Sequence, residues 1–494
     1  MTGVRRPVIA IVGGGFTGAV IAGNLARNAA SDGTSIIILE PRERLGAGLA
    51  YDTANPAHRT NVPAARMSLV PDDPDDFLDW LSANGEPSDD AEARADDGNL
   101  YVRRAVFGRY VGEFIAPFLT SGKVVHRRER VAHIERRGKR WRLRSTAGTD
   151  LLADIVVIAT THPAPCAPKD VVAALQGHPR YVPDSTACDA LACIRPDDSV
   201  LVLGNGLTSA DVIASLRRAD HRGPIVALSR RGLRSRGHAG RSQEPYGDFL
   251  SNPARNALDL LRRVRQAISE AAATGASWHA VFDALRSQGG QIWRALPVSE
   301  RRRLVRRLRP FWDAHRFRVA PQIENQIRQA IEAGQLRVLG APIEGVERDG
   351  EVIAVNVRHR QTRAQERLLF DACVVTTGPA HTGILSSQSW LTDLALQGWL
   401  RPDDVGLGLA CDEGSRAIGV DGTSEKSLIV AGPLARGTFG ELMGLPQVND
   451  HAIFVADQIA EMLVREGKAA GRRRATASQV RRQLAATVGG SATQ

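Results

Sequence analysis

Twice along this chain a short apolar run ends in a glycine pattern that opens a helical stretch, and no other feature limits the fold as much. The first copy is Val8–Val12, then Gly13-x-Gly15-x-x-Gly18, then a stretch to Arg27 with Val20, Ile21 and Leu25 on its inner side. After Asp32-Gly33 a second apolar run, Ile36 to Leu39, ends at Glu40. Short apolar runs bounded by glycines are the mark of strands buried in a parallel sheet. Glycines at this spacing let the turn be tight, let a pyrophosphate approach the backbone, and let the helix pack closely on the strand. The helix N-terminus adds unpaired N–H groups and a partial positive charge. Glu40 stands where an acid accepts hydrogen bonds from ribose hydroxyls. Strand, turn, helix, strand and acid in this order predict a dinucleotide site built on Gly13, Gly15, Phe16, Thr17, Gly18 and Glu40.

The second copy is Val200 to Leu203, then Gly204-x-Gly206-x-x-Ser209, with Leu207 and Thr208 opening its helix. Its next strand, Ile225 to Leu228, runs into Ser229-Arg230-Arg231 instead of an acid. A carboxylate there would repel a 2′-phosphate, whereas arginines pair with it through charge-assisted hydrogen bonds. The second unit is therefore expected to hold NADPH, through Gly204, Gly206, Leu207, Thr208, Arg230 and Arg231; the competing reading makes the arginines a solvated strand end. Asp211, in the helix after the turn, suits a structural role as well as a functional one. Two units with different second-strand ends imply two different dinucleotides, FAD in the first and NADPH in the second, with hydride passing between them.

At 494 residues the chain has room for two or three domains. The expected architecture is α/β, with two Rossmann-like dinucleotide-binding domains and a helical insertion. The flavin domain is discontinuous, occupying 1–165 and part of 326–475; the NADPH domain occupies 166–245 and ends within 326–475; the insertion is 246–325, and 476–494 is a tail. Alternation around Val124 to Arg144 predicts antiparallel strands, and Ile155 to Ala159 a buried one. Val374-Val375 and Leu428 to Ala431 read as strands returning to the first domain. From Pro253 to Pro310 the pattern is helical, with Ser299 as the N-cap of a basic helix that Pro310 stops. An amphipathic closing helix follows Asn449, and the tail past Gly471 reads as disordered.

The formal charge of +10 is mostly arginine, clustered at Arg302, Arg303, Arg306, Arg307 and Arg309 and at Arg472, Arg473 and Arg474. Neither cluster is interleaved with aromatics or set on a recognisable binding module, so a nucleic-acid partner is not expected. The five cysteines form no C-x-x-C pair and no zinc-like set, which predicts no metal site and suits a reducing cytosol. Cys188 and Cys193 have a spacing that some disulfide reductases use, but they lie too late in the chain for that role. Arg5-Arg6 and the charge-free run from Pro7 to Ala26 imitate an export signal; the glycine turn explains the run better. No other stretch approaches the length of a membrane span.

Further segments carry a resemblance. Gly46-Ala-Gly-Leu-Ala-Tyr51, Thr60-Asn-Val-Pro-Ala-Ala-Arg-Met-Ser68, Asp76-Phe-Leu-Asp-Trp80, Gly204-Asn-Gly-Leu-Thr208, Trp312-Asp-Ala-His-Arg-Phe-Arg318 and Gly432-Pro-Leu-Ala-Arg-Gly-Thr438 resemble a bacterial FAD/NAD(P)-binding family of flavoproteins with two dinucleotide-binding domains. That family is related to the flavin-containing and amino-acid N-hydroxylating monooxygenases. The resemblance implies that Tyr51, Asn61, Met67, Gly378, Pro433 and Thr438 belong to the cofactor sites, with Glu441 also near the flavin. Thr60-Asn61-x-Pro63 also looks like the asparagine segment of flavin-containing monooxygenases, which makes Asn61 the candidate catalytic residue. An amide there would donate and accept hydrogen bonds beside the flavin, where water must be excluded; a plain Asn-x-Pro turn is the competing reading. His315, Arg316 and Arg318 match a family segment and would bind an anion or form a basic turn. The chain departs from the pattern at Thr160-Thr161, where relatives have Thr-Gly, and at Pro446-Gln447 in place of Pro-Glu. It also lacks the FxGxxxH signature. His162 reads as structural.

The leading expectation is a single-component, NADPH-dependent flavin monooxygenase. Oxygen would be delivered from a C4a-hydroperoxyflavin to a small-molecule substrate, preferably an amine or amino-acid nitrogen. A flavin-dependent dehydrogenase or reductase without oxygen insertion is the second expectation. A non-catalytic nucleotide-binding protein is the third, supported only by Thr161.

Overall fold

The computed structural model describes residues 5–379 and 383–465. The tail past Gly471 and the Arg472–Arg474 cluster lie outside the described residues.

Val8–Val12 occupies an interior position of a six-stranded sheet. The strand order is Arg416–Ile418, Ser424–Val430, Ile155–Ile158, Val8–Val12, Ser35–Leu39 and Val124–Arg127. Every pairing is parallel except that of the first two strands. Helices Phe16–Arg27 and Arg104–Thr120 and the helical stretch 447–465 pack on one face, around Ile21, Leu25, Phe107 and Ile459. The other face is covered by the antiparallel meander Val131–Arg137, Arg140–Ser145, Asp150–Ala153 and by helix Ser389–Leu396, with Trp141 and Trp390 buried between. Each fully buried Val, Ile or Leu of these strands adds about 1.5–3 kcal/mol, which keeps the strand ends, and the loops on them, in fixed places.

The second unit forms a five-stranded sheet in the order Leu336–Gly340, Ile225–Ser229, Val200–Leu203, Ala372–Val375 and Tyr181–Val182. Helices Leu207–Arg218 and Pro321–Glu332 pack together on one side of it. A second meander, Ile343–Asp349, Val352–Arg358 and Gln365–Phe370, packs on the other side with helix Lys169–Leu175.

Helices Ala257–Ala273, Trp278–Ala295, Val298–Arg307 and Arg309–Arg316 build a separate layer with a small core of Phe249, Val281, Leu285 and Ile292. This layer is pinned to the first domain. The Trp293 indole N–H donates to the Gly437 carbonyl at 2.9 Å, and Arg286 donates to the Leu445 carbonyl and to the Gln447 side chain. Among the described residues no helix is long and apolar enough to cross a membrane.

Three local expectations differ from what is seen. Val124–Arg127 is a parallel edge strand beside Ser35–Leu39, not part of an antiparallel pair. An edge strand with one face covered shows the same alternation as an antiparallel one. Ala372–Val375 pairs with Val200–Leu203 and so belongs to the second sheet, not the first. Buried runs of this kind carry no signal of which sheet they join. Ser299 lies inside helix Val298–Arg307, with Pro297 before it, and Pro310 opens the next helix, Arg309–Arg316. Proline is tolerated in a first helical turn, where its missing N–H has no partner to lose.

Candidate functional site

Both glycine turns are locked by the same device. Gly13 has φ +101°, and a Cβ on it would sit 2.7 Å from the Ala159 carbonyl oxygen. Gly204 has φ +128°, and its Cβ would sit 2.4 Å from the Thr376 carbonyl oxygen. In each unit the neighbouring strand ends against the turn, so only glycine fits. Gly18 has a different reason: its Cβ would meet the Gly13 carbonyl at 2.0 Å, so helix Phe16–Arg27 can start flush on the strand only without a side chain. Ser209 takes that position in the second unit and is buried.

The first turn opens onto a cavity of about 1000 Å³. Gly13, Gly15, Phe16, Thr17, Glu40, Tyr51 and Pro433 line it, as do Arg42, Thr160, Thr161, Met443 and Leu445. The first-turn N–H groups of helix Phe16–Arg27 lack intrahelical partners, as at any helix start. Glu40 is buried at the end of strand Ser35–Leu39; its Oε2 accepts from Gly14 N–H at 2.9 Å and its Oε1 from Arg42 N–H at 3.0 Å. Each carboxylate oxygen keeps a lone pair for a further donor. The Tyr51 ring packs edge-on against Phe107 with centroids 4.7 Å apart, and burial pushes its hydroxyl up to about 12, opposed by Arg104. Glycine turn, free helix N-terminus and strand-end acid thus share one cavity large enough for a dinucleotide, and these residues fit FAD. Nucleotide phosphates would meet the turn and helix start, and ribose hydroxyls the Glu40 carboxylate.

At the second turn Gly206 is exposed, and a Cβ on it would meet no atom within 4 Å. A small recess of about 20 Å³ lies at Asn205, Gly206 and Ser209, walled by Arg234 and Ser235. The Asn205 amide is held 3.0 Å from the Ser229 hydroxyl. Arg230 and Arg231 stand exposed past the end of strand Ile225–Ser229, and Arg231 lies over the Phe311 ring at 5.1 Å. Leu207 starts the helix, while Thr208, one residue on, faces the large cavity instead.

Several residues tied to the flavin by resemblance lie elsewhere. Met67 is 2% exposed and packed in the first domain's core. Asn61 is half-buried and does not line the cavity; its backbone carbonyl is 3.1 Å from the His238 Nε2. A carbonyl only accepts, so His238 donates from Nε2. Burial, helped by Arg318, pushes His238 down to about 4, so the ring is neutral at neutral pH. Gly378 has φ +78° in the loop after Ala372–Val375, away from the cavity. Thr438 spends its hydroxyl on the Cys411 carbonyl at 2.7 Å. His162 packs on Met443 of the cavity wall, 3.3 Å from its sulfur.

His315, Arg316 and Arg318 do not act together. Arg316 is buried and bonded to Glu441 at 2.6 Å, Arg318 pairs with Asp283 at 2.9 Å, and His315 bonds the Phe311 carbonyl at 2.7 Å. Glu441 therefore neutralises an arginine of the helical layer. Gln447, where an acid would repeat that arrangement, accepts from Arg286 instead.

Sequence reasoning missed Asn55, His58 and Arg104 in the cavity wall. Arg104 left one signal: it opens helix Arg104–Thr120, where a cation opposes the helix dipole, so another interaction must hold it there. That interaction is a 2.8 Å ion pair with Asp211.

Two mainly parallel sheets with a glycine turn on each, each covered on one face by an antiparallel meander, define the class: this is the fold of flavoproteins with two dinucleotide-binding domains. Residues 10–163, less than half of the chain, match a family described as FAD-NAD(P)-binding. Among solved structures, the reduced form of the ornithine hydroxylase of Pseudomonas aeruginosa is similar at a TM-score of 0.62 and 16% identity, over 93% of this chain and 100% of that one. The cadaverine monooxygenase of the Erwinia amylovora desferrioxamine pathway follows at 0.61 and 12%, over 92% and 94%. The L-lysine 6-monooxygenase of Pseudomonas syringae gives 0.58 and 18%, over 92% and 99%. No curated protein matches the sequence.

Proposed function

We propose that this protein is an FAD-dependent oxidoreductase that takes hydride from NADPH and oxygenates a small molecule, most simply an amine or amino-acid nitrogen. One observation carries this reading: the cavity that holds the first glycine turn is walled by helix Leu207–Arg218 of the second unit, so the two dinucleotide sites adjoin. The similar structures bear the names of amine and amino-acid monooxygenases, which supports the choice of reaction. Bound FAD would supply hydride acceptance and the activation of oxygen. The chain's own part is to bind and shield. The turn at Gly13–Gly18 and Glu40 would hold the cofactor's phosphates and ribose, Tyr51, backed by Phe107, would form an apolar flank, and the Thr208–Ala219 face supplies one wall of the cavity, narrowing its access to bulk water. Arg230 and Arg231 would receive the NADPH 2′-phosphate.

A reductase that passes electrons on without inserting oxygen is the second reading. It is favoured by Asn61, whose main chain is tied to His238 and whose residue stands outside the cavity wall. Anaerobic addition of NADPH to the purified yellow protein should bleach its visible absorbance, faster than NADH does. Oxygen uptake that rises with added amine substrate, without matching peroxide, supports the oxygenase. Turnover with an artificial acceptor that persists without oxygen supports the reductase. A protein that takes up no FAD refutes both.

A further inference from the structure

Helix Leu207–Arg218 belongs to the second sheet's layer, yet Thr208, Asp211 and Ser215 look into the first domain's cavity. Their spacing of three and four places them on one helical face. Three side chains of the first domain meet that face. Arg104 Nη2 lies 2.8 Å from Asp211 Oδ2, with the two side chains 19% and 11% exposed. Asn55 Nδ2 donates to the Ser215 hydroxyl at 2.9 Å, and His58 Nε2 lies 3.3 Å from the same oxygen.

The hydrogens of this cluster have one consistent assignment. Ser215 Oγ donates its only hydrogen to the Asp211 carbonyl at 2.7 Å. Its lone pairs must therefore accept from Asn55 and His58, which puts the His58 hydrogen on Nε2. His58 Nδ1 is then free to accept from the Thr53 hydroxyl at 2.9 Å. Donors and acceptors match, so the cluster holds one arrangement and loses several bonds together if the helix lifts. The same residues wall the cavity assigned to FAD.

We propose that Asn55, His58, Arg104, Asp211 and Ser215 form a latch that holds the second domain over the flavin cavity, so that FAD leaves only when the latch opens. This inference rests on the FAD site of the proposed function. Its test is the rate of FAD release from purified holoprotein, followed by recovery of free flavin fluorescence after dilution. Asp211→Asn should raise that rate by about tenfold, the ratio equivalent to roughly 1.4 kcal/mol, and the milder Ser215→Ala should raise it severalfold. Asp211→Asn combined with Arg104→Gln should release FAD no faster than the quicker single variant, because both remove the same contact. Release within about twofold of wild type in both Asp211→Asn and Ser215→Ala, a change no larger than the additivity error between unrelated sites, overturns the latch, as do fully additive effects in the double variant. If Asp211→Asn fails to fold, Ser215→Ala decides alone. A wild-type protein that holds no FAD instead overturns the underlying site assignment.

Discussion

Replacing Glu441 with alanine should destabilise the flavin side of the molecule more than any comparable surface change. Glu441 and Arg316 are 6% and 4% exposed and bonded at 2.6 Å. Beside them lie the buried Arg436 and the half-buried Arg286. Arg436 reaches only to 3.9 Å of Asp313, and Arg286 is pushed down to about 9 by burial and then by Arg316. Burial also raises Asp313, the carboxyl that faces Arg436 and Arg309. Stripping Glu441 leaves the buried Arg316 guanidinium without its carboxylate partner. Breaking one side of a buried pair costs about 3–5 kcal/mol. For a cooperative unit of flavin-domain size this is a fall in melting temperature on the order of 6–20 °C. Trp293, whose indole N–H bonds Gly437 and whose ring abuts Gly440, contributes to the tryptophan fluorescence by which that unfolding is followed. The companion variant Glu441→Met with Arg316→Met removes both charges and should recover most of the loss, because a well-packed apolar pair often replaces a buried ion pair at little cost. A fall of less than about 2 °C in Glu441→Ala, the scale of an ordinary surface change, or a double variant no better than the single, would refute the reasoning.

Four other outcomes are expected. Gly204→Ala should compromise folding, since its Cβ meets the Thr376 carbonyl, while Gly206→Ala should fold normally and lose NADPH affinity, because its Cβ enters only the space a pyrophosphate would take; soluble yield and thermal melting check the first, and NADPH titration the second. Arg230→Ala with Arg231→Ala should raise KM for NADPH and leave that for NADH, and equal effects on both coenzymes remove the phosphate assignment. Native protein should expose Cys166, Cys188 and Cys193 to a thiol reagent at pH 8, while Cys373 and Cys411, buried and pushed up to about 12, react only after denaturation. His238 and His451 are held at about 4 by burial, below their ordinary 6.5, so between these values the unfolded chain binds protons that the folded one does not. Their contribution is complete above pH 6.5 and is lost as pH falls towards 4, so the melting temperature should drop from pH 7 to pH 5; a flat profile would count against it.

Much of this molecule was legible because its strongest signals are local. Glycine spacing and the acid or arginines after the next strand follow from backbone sterics and charge, and both turns stand where the pattern puts them. Sheet membership was not legible at Ala372–Val375, because a buried apolar run looks the same in either sheet. The site was half legible for a related reason. Gly13, Thr17, Glu40 and Tyr51 line the cavity through neighbours close in sequence, whereas Asn55, His58 and Arg104 owe their roles to a helix more than a hundred residues away. Met67 and Asn61 show the limit of resemblance: the segment is present, but one side chain fills the core and the other residue stands at the domain junction.

The helical layer has a practical consequence for anyone trimming the chain. Excising residues 250–318 to reach a minimal two-unit enzyme would strip the Gly437 and Leu445 carbonyls, the Gln447 amide and the Glu441 carboxylate of their partners in one cut. The loop that walls the flavin cavity would lose its scaffolding, so the shortened protein should come out of purification pale, even with both glycine turns intact.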